Sequence, residues 1–252
     1  MAKTIAIVNQ KGGVGKTTTC VNLAAALAEK GKRVLLCDFD PQANTTSGMG
    51  VDKTVSKGIY EALIGETPVE DAIVHTKFGD VLPSNKALAG AGIELISMDS
   101  REFLLRNALQ KVADRYDFIF IDCPPSLELL TVNALVAADS VLIPMQCEYY
   151  ALEGIADLMT SIKMCSRHLN RRLDVEGIVL TMYDSRANLT VQVENELRKY
   201  LGSKVYNTVI PRSVRLSEAP SHGLPGVVYD RVNRGSKAYM ALAVEFMARS
   251  SK

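Results

Sequence analysis

One stretch near the N-terminus constrains this chain more than any other: Asn9-Gln10-Lys11-Gly12-Gly13-Val14-Gly15-Lys16-Thr17-Thr18. It follows a short apolar run and precedes a segment of helical periodicity. A strand, a glycine-rich turn ending in Gly-Lys-Thr and a helix form the pattern of a phosphate-binding loop. The glycines let successive backbone N–H groups turn toward phosphate oxygens, and the helix N-terminus adds partial positive charge. In such a loop Lys16 reaches the β- and γ-phosphates, and the Thr17 hydroxyl ligates Mg²⁺. Gly12, Gly13, Val14, Gly15 and Thr18 supply the rest of the cradle.

The remainder of the chain repeats the same strand-then-helix theme. Strand-like apolar runs lie at 4–9, 33–39, 118–122, 140–144, 175–181 and 205–210. Helix-like stretches lie at 16–30, 101–115, 127–138, 152–168, 189–200 and 237–249. Segment 48–83 reads less clearly, with short helices expected at 59–63 and 69–74. Near-continuous apolar strands imply a sheet covered on both faces, and the alternation implies parallel crossovers. The expectation is an α/β fold: a doubly wound, mostly parallel sheet with helices on both faces, P-loop NTPase-like, in one domain over residues 1–252. Apolar residues at 47% and charged residues at 23% suit it and exclude disorder. No apolar run approaches the ~18 residues of a membrane span. The N-terminus lacks a signal-peptide plan. Cys20, Cys37, Cys123, Cys147 and Cys165 contain no C-x-x-C pair and read as reduced, mostly buried thiols of a cytoplasmic protein.

Ligands of open parallel sheets bind beyond the carboxyl ends of the strands. Two apolar strands finish there in aspartate: Asp38-Phe39-Asp40-Pro41-Gln42 and Asp122-Cys123-Pro124-Pro125. Asp122 has the position of a carboxylate that holds Mg²⁺ through water, and Asp38 can do likewise. Asp40, two residues on and expected on the same strand face, is the better candidate to orient an attacking water. From the residues alone, a turn-former or helix cap remains open for Asp38 and Asp122.

The loop departs from the usual spacing: Gln10 stands where a glycine is common, and a second lysine, Lys11, precedes the glycine pair. The pattern K-G-G-x-G-K-[ST] is the deviant Walker A loop, and here the chain resembles the ParA/MinD family of ATPases. That resemblance implies bound ATP, with Lys11 crossing the interface of an ATP-dependent sandwich homodimer. On the residues alone, a solvated Lys11 is the alternative that stays open. The D-x-D-P-Q and D-x-P-P segments also match the family, which assigns Asp40 the hydrolytic role. Residues 146–154 and 209–221 resemble the chromosomal ParA branch known as Soj. This implies a nucleoid-associated DNA-binding ATPase that partitions chromosome origins with a ParB-type partner. The segment holding Pro211 and Ser213 resembles the stretch that lines adenine through backbone contacts.

Net charge is only +1, but residues 186–249 carry ten Lys and Arg against five Asp and Glu. The resemblance places DNA-contacting arginines at Arg186 and Arg215, both expected in loops. Lys199, Lys204, Arg234 and Lys237 are expected to widen that patch. No recognition helix is evident, so contact should be with the backbone of double-stranded DNA and insensitive to sequence. The alternative is a MinD-like regulator at the membrane surface. It is disfavoured because Tyr239, Leu242, Ala243, Phe246 and Met247 form a stripe better suited to core packing than to lipid, so no membrane partner is expected. A small-molecule kinase would need lid arginines that do not stand out. Tyr149 and Tyr150 are expected to pack just past a strand.

Overall fold

Successive residues of the central strands point to opposite faces, and both faces are apolar. In the computed structural model, which describes residues 2–149 and 151–250, Ile5 and Ile7 of β1 (Lys3–Ile7) join one core cluster, while Ala6 and Val8 join the other. The same alternation separates Val34 and Leu36 from Leu35 and Cys37 on β2 (Val34–Asp38). It separates Phe118 and Phe120 from Ile119 and Ile121 on β5 (Phe118–Asp122). With a side-chain period of two, strands like these can only be buried in the middle of three layers.

The other strands are β3 (Val74–Thr76), β4 (Gly79–Leu82), β6 (Ser140–Gln146) and β7 (Asp174–Thr181). The sheet order is β3-β4-β2-β5-β1-β6-β7. Every pairing is parallel except the β3–β4 hairpin at the edge. The helices are α1 (Lys16–Glu29), α2 (Asn44–Gly48), α3 (Ile59–Leu63), α4 (Val69–Ala72), α5 (Leu88–Glu94) and α6 (Leu104–Gln110). They continue with α7 (Leu129–Ala137), α8 (Ala151–His168), α9 (Asn188–Leu201), α10 (Val214–Glu218), α11 (Gly226–Tyr229) and α12 (Arg234–Ser250). Helices α1 and α12 cover one face, where Phe246 meets Phe118 edge-on at 5.3 Å between ring centroids. Helices α6, α7 and α8 help cover the other. The apolar stripe expected on the last helix is indeed core: Tyr239, Leu242, Ala243 and Phe246 are buried, with Met247 packed beside them. All five cysteines are buried and free.

Three expectations need correction. The 69–74 helix ends at Ala72, and Val74 opens β3. Residues 205–210 are extended but form no strand, touching β7 only at isolated points such as Val205–Ile178. The reason is a tertiary contact: Glu245 of α12 accepts the backbone N–H groups of Asn207 and Thr208, both at 2.8 Å, so these donors are not available to a ladder. Tyr149 is 70% exposed rather than packed, and Tyr150 lies outside the described residues.

Candidate functional site

The carboxyl ends of β1, β2, β5, β6 and β7 meet on one side of the sheet, and the glycine-rich loop leaves β1 there. Gly13 and Gly15 adopt left-handed φ of 73° and 89°, which side chains resist. Gly15 caps α1 at this turn, and its carbonyl accepts the N–H of Thr19. Neighbouring strand ends hold the loop in shape. The Thr181 hydroxyl donates to the carbonyl of Val14 at 2.7 Å, and the Gln146 amide donates to that of Gly13 at 3.0 Å. Lys16, the first residue of α1, is buried, and its ammonium donates to the Lys11 carbonyl. Burial lowers its pKa, opposed by the charges of Asp122 and Asp40.

Asp122, at the end of β5, is fully buried beside the loop. Its Oδ2 accepts from the hydroxyls of Thr17 (2.7 Å) and Thr45 (2.8 Å), while Oδ1 is buried with no partner. A buried carboxylate oxygen without a donor is costly. Together with the Thr17 hydroxyl it forms a set of hard oxygen ligands that fits Mg²⁺, which binds through few carboxylates and keeps waters. Asp38 is the Cα register partner of Asp122 on the adjacent strand. Its Oδ2 accepts from both the N–H and the hydroxyl of Thr46 at 2.6 Å, and its Oδ1 from the N–H of Asp40. Burial pushes both carboxyls above their usual range; the neighbouring carboxylates add to it, and the threonine donors oppose it.

Asp40 does not share a strand face with Asp38, because β2 ends at Asp38. It lies in the following turn, nearly buried, with Oδ1 accepting the N–H of Gln42. Lys11 is about half exposed but does not project freely: its ammonium pairs with Glu148, just past β6. A Cβ built on Gly12 meets nothing within 4 Å, and the Gly12 φ is not left-handed. Ser213 caps α10 and donates to Asn233, so its hydroxyl is already engaged; Pro211 bridges to Tyr183.

The candidate cationic residues are only partly gathered. Arg186 lies in the turn after β7, and its guanidinium grips Asp184 in a fork at 2.9 and 3.0 Å. Arg215 is not in a loop but on α10, paired with Glu218 and Asp230. The Tyr183–Pro211 bridge brings the two backbone segments side by side. Arg234 lies close enough to help depress the Asp184 carboxyl, though Arg186 does most of this. Lys204 does not belong to the patch. It pairs with Asp174 at the start of β7, a strand's length of about 25 Å from the turn that carries Arg186. Lys199, near the far end of α9, lies about 20 Å from that turn.

Sequence reading passed over Thr45, Thr46, Gln146, Glu148 and Thr181. Thr45 and Thr46 follow the Asp38–Gln42 segment directly enough to have been flagged. The other three reach the loop only because β6 pairs in parallel with β1 and β7 with β6.

Strand order, a phosphate loop at the sheet's switch point and carboxylates at its strand ends define a P-loop protein of the ParA/MinD class. Comparison narrows this. A family model described as an AAA domain matches residues 2–175. The sporulation initiation inhibitor protein Soj of Bacillus subtilis is 56% identical over 251 residues, covering 98% of this chain and 99% of that one. The chromosome partitioning protein ParA of Myxococcus xanthus is 50% identical over 254 residues, covering 100% and 90%. Among solved structures, a cobyrinic acid a,c-diamide synthase from Mycobacterium smegmatis with bound ADP and magnesium has a TM-score of 0.88. It is 34% identical, covering 100% of this chain and 96% of that one. The chain belongs to the Soj/ParA family of chromosome-partitioning proteins.

Proposed function

We propose that residues 1–252 form one ParA-type ATPase domain that acts as a switch in chromosome partitioning. ATP and Mg²⁺ bind at the loop, two subunits close face to face, and the dimer holds double-stranded DNA by its backbone. Slow hydrolysis, stimulated by a ParB-type partner, resets it. The protein is then cytoplasmic and nucleoid-associated. Its likeness to Soj and ParA proteins supports this reading.

Each residue has a part. The N–H groups of Gly12–Thr18 and the Lys16 ammonium hold the phosphates. Thr17 and Asp122 would hold Mg²⁺, with Asp38 beside Asp122 on the adjacent strand. Bound there, the ion would supply positive charge against the phosphate oxygens. Asp40 orients that water, and the backbone around Pro211 and Ser213 borders the adenine.

The observation that carries the dimer is Gly12. Neither backbone conformation nor any neighbour among the described residues requires glycine there. A second subunit closing over the loop would require it, and Lys11 then exchanges Glu148 for the partner's nucleotide. Light scattering on eluted protein tests this: a dimer is expected with ATP, a monomer with ADP, and a monomer in either from Lys16→Ala. Co-sedimentation with DNA, and not with anionic liposomes, is expected from the ATP form. The reverse result would favour the membrane-surface alternative.

A further inference from the structure

The amino ends of the strands, across the sheet from the phosphate loop, border another concavity of about 410 Å³. Thr4 at the start of β1 and Asp139 just before β6 line its inner wall. Arg106 of α6 and Arg171 and Arg172 of the α8–β7 turn line the remainder, over a floor of small and aliphatic side chains.

The three arginines differ from most others in this chain. Arg33, Arg198 and Arg249 each meet a carboxylate within 3 Å. Among the described residues no ion pair or hydrogen bond engages the guanidinium of Arg106, Arg171 or Arg172, although the Arg172 backbone N–H donates to Asn170 Oδ1 at 3.2 Å. Arg106 is half-buried, its guanidinium 4.5 Å above the Phe103 ring and its Nε buried without an acceptor. The ring contact restrains the guanidinium at the wall of the cavity that Arg106 lines. Asp139 is the lone carboxylate of the lining, and its Oδ2 already accepts the N–H of Thr4 at 2.8 Å. Three cations against one engaged carboxylate leave the concavity positive.

The buried Nε of Arg106 has no acceptor among the described residues, and an acceptor from outside the chain would meet it. The volume is that of a small-molecule site, and arginine forks match phosphate oxygens in pairs. We propose that this cavity binds a small phosphate-bearing anion, independently of the phosphate loop. Arg106 is the recessed contact, and Arg171 and Arg172 close on the outer oxygens. A DNA backbone would reach the exposed Arg171 and Arg172 but not the recess, so Arg106 separates the two possibilities.

The test is calorimetric titration with inorganic pyrophosphate, without Mg²⁺. The wild-type chain should show two sites. Lys16→Ala should lose one and keep the other. Arg106→Met, which preserves the stem over Phe103, should keep the loop site and weaken the other at least tenfold. Arg171→Ala with Arg172→Ala should weaken that same site, and raising ionic strength should weaken it further. ATP binding by Arg106→Met should match wild type, which reports its folding. A single site in wild type that Lys16→Ala abolishes would overturn the proposal. So would two sites unchanged in Arg106→Met, or an arginine pair that alters DNA binding while leaving both pyrophosphate sites intact.

Discussion

Asp38 and Asp122 stand side by side on adjacent strands, both fully buried, one held by Thr46 and the other by Thr17 and Thr45. Burial raises both carboxyls above their ordinary 3.8, so the folded, nucleotide-free chain keeps protons that the unfolded chain releases. The pair's stabilising contribution is therefore complete below the ordinary carboxylate range and is lost as the pH rises toward neutrality. Asp38→Asn fixes the uncharged state and should flatten this decline. Thermal melts in EDTA at pH 5 and pH 8 should show a smaller drop in Tm for the variant. An equal drop in both proteins would show that the pair does not titrate in this range.

Gly12→Val should fold and bind ATP almost as the wild type does, since a Cβ at this position meets no described atom within 4 Å. It should nevertheless remain monomeric with ATP. A normal ATP-dependent dimer would remove the face-to-face model.

The Lys11–Glu148 pair competes with any contact that Lys11 makes across an interface. Both side chains are about half exposed, and such pairs contribute about 1 kcal/mol at most. Two such pairs break per dimer, so Glu148→Gln should strengthen ATP-dependent dimerisation, by no more than about 30-fold. Lys11→Ala should bind ATP as a monomer and fail to dimerise. A weaker dimer from Glu148→Gln would mean that Glu148 itself acts across the interface.

Asp40 is anchored through one oxygen only; Oδ2 has no hydrogen-bond partner among the described residues. Asp40→Ala should bind ATP, dimerise and hydrolyse about 10²-fold more slowly, since a lost water-positioning group costs the transition state more than the ground state. Asp40→Asn keeps an acceptor for the Gln42 N–H and should be equally slow. Recovery of turnover in Asp40→Asn would reduce Asp40 to a turn-former.

Much of this was legible because the physics is local. A left-handed glycine at position 15, an apolar strand ending in Asp122 and a helix beginning at Lys16 each declare themselves within a few residues. What escaped was set by tertiary contact. Residues 205–210 have a strand's composition, but Glu245, far along the chain, takes two of their backbone donors. The β3–β4 hairpin turns at Lys77-Phe78 without an Asn-Gly signal, and its strands are only three and four residues long. Lys11 read as free because Glu148, distant in sequence, meets it only once β6 lies beside β1.

DNA binding provides the sharpest test of the cationic residues, because both proposed arginines already have carboxylate partners. Arg186 grips Asp184, and Arg215 pairs with Glu218 and Asp230. A phosphate must displace these partners, so the local acids act against DNA. Arg186→Glu and Arg215→Glu should each weaken binding without much change in ATP affinity. Each phosphate contact contributes roughly 0.9 to the magnitude of the log–log salt slope, and a dimer doubles every contact. One substitution should therefore lower the slope by about two units. Asp184→Ala should do the reverse to affinity, since it frees the Arg186 fork and removes a repulsive charge. Binding should require ATP and be similar on unrelated duplexes, as backbone contact implies. A salt series on two such duplexes, with and without nucleotide, reads all of this together. An unchanged slope in both charge reversals would place the DNA surface elsewhere. Weaker binding by Asp184→Ala would show that the Asp184–Arg186 fork is itself the binding conformation, with the carboxylate orienting the arginine rather than competing for it.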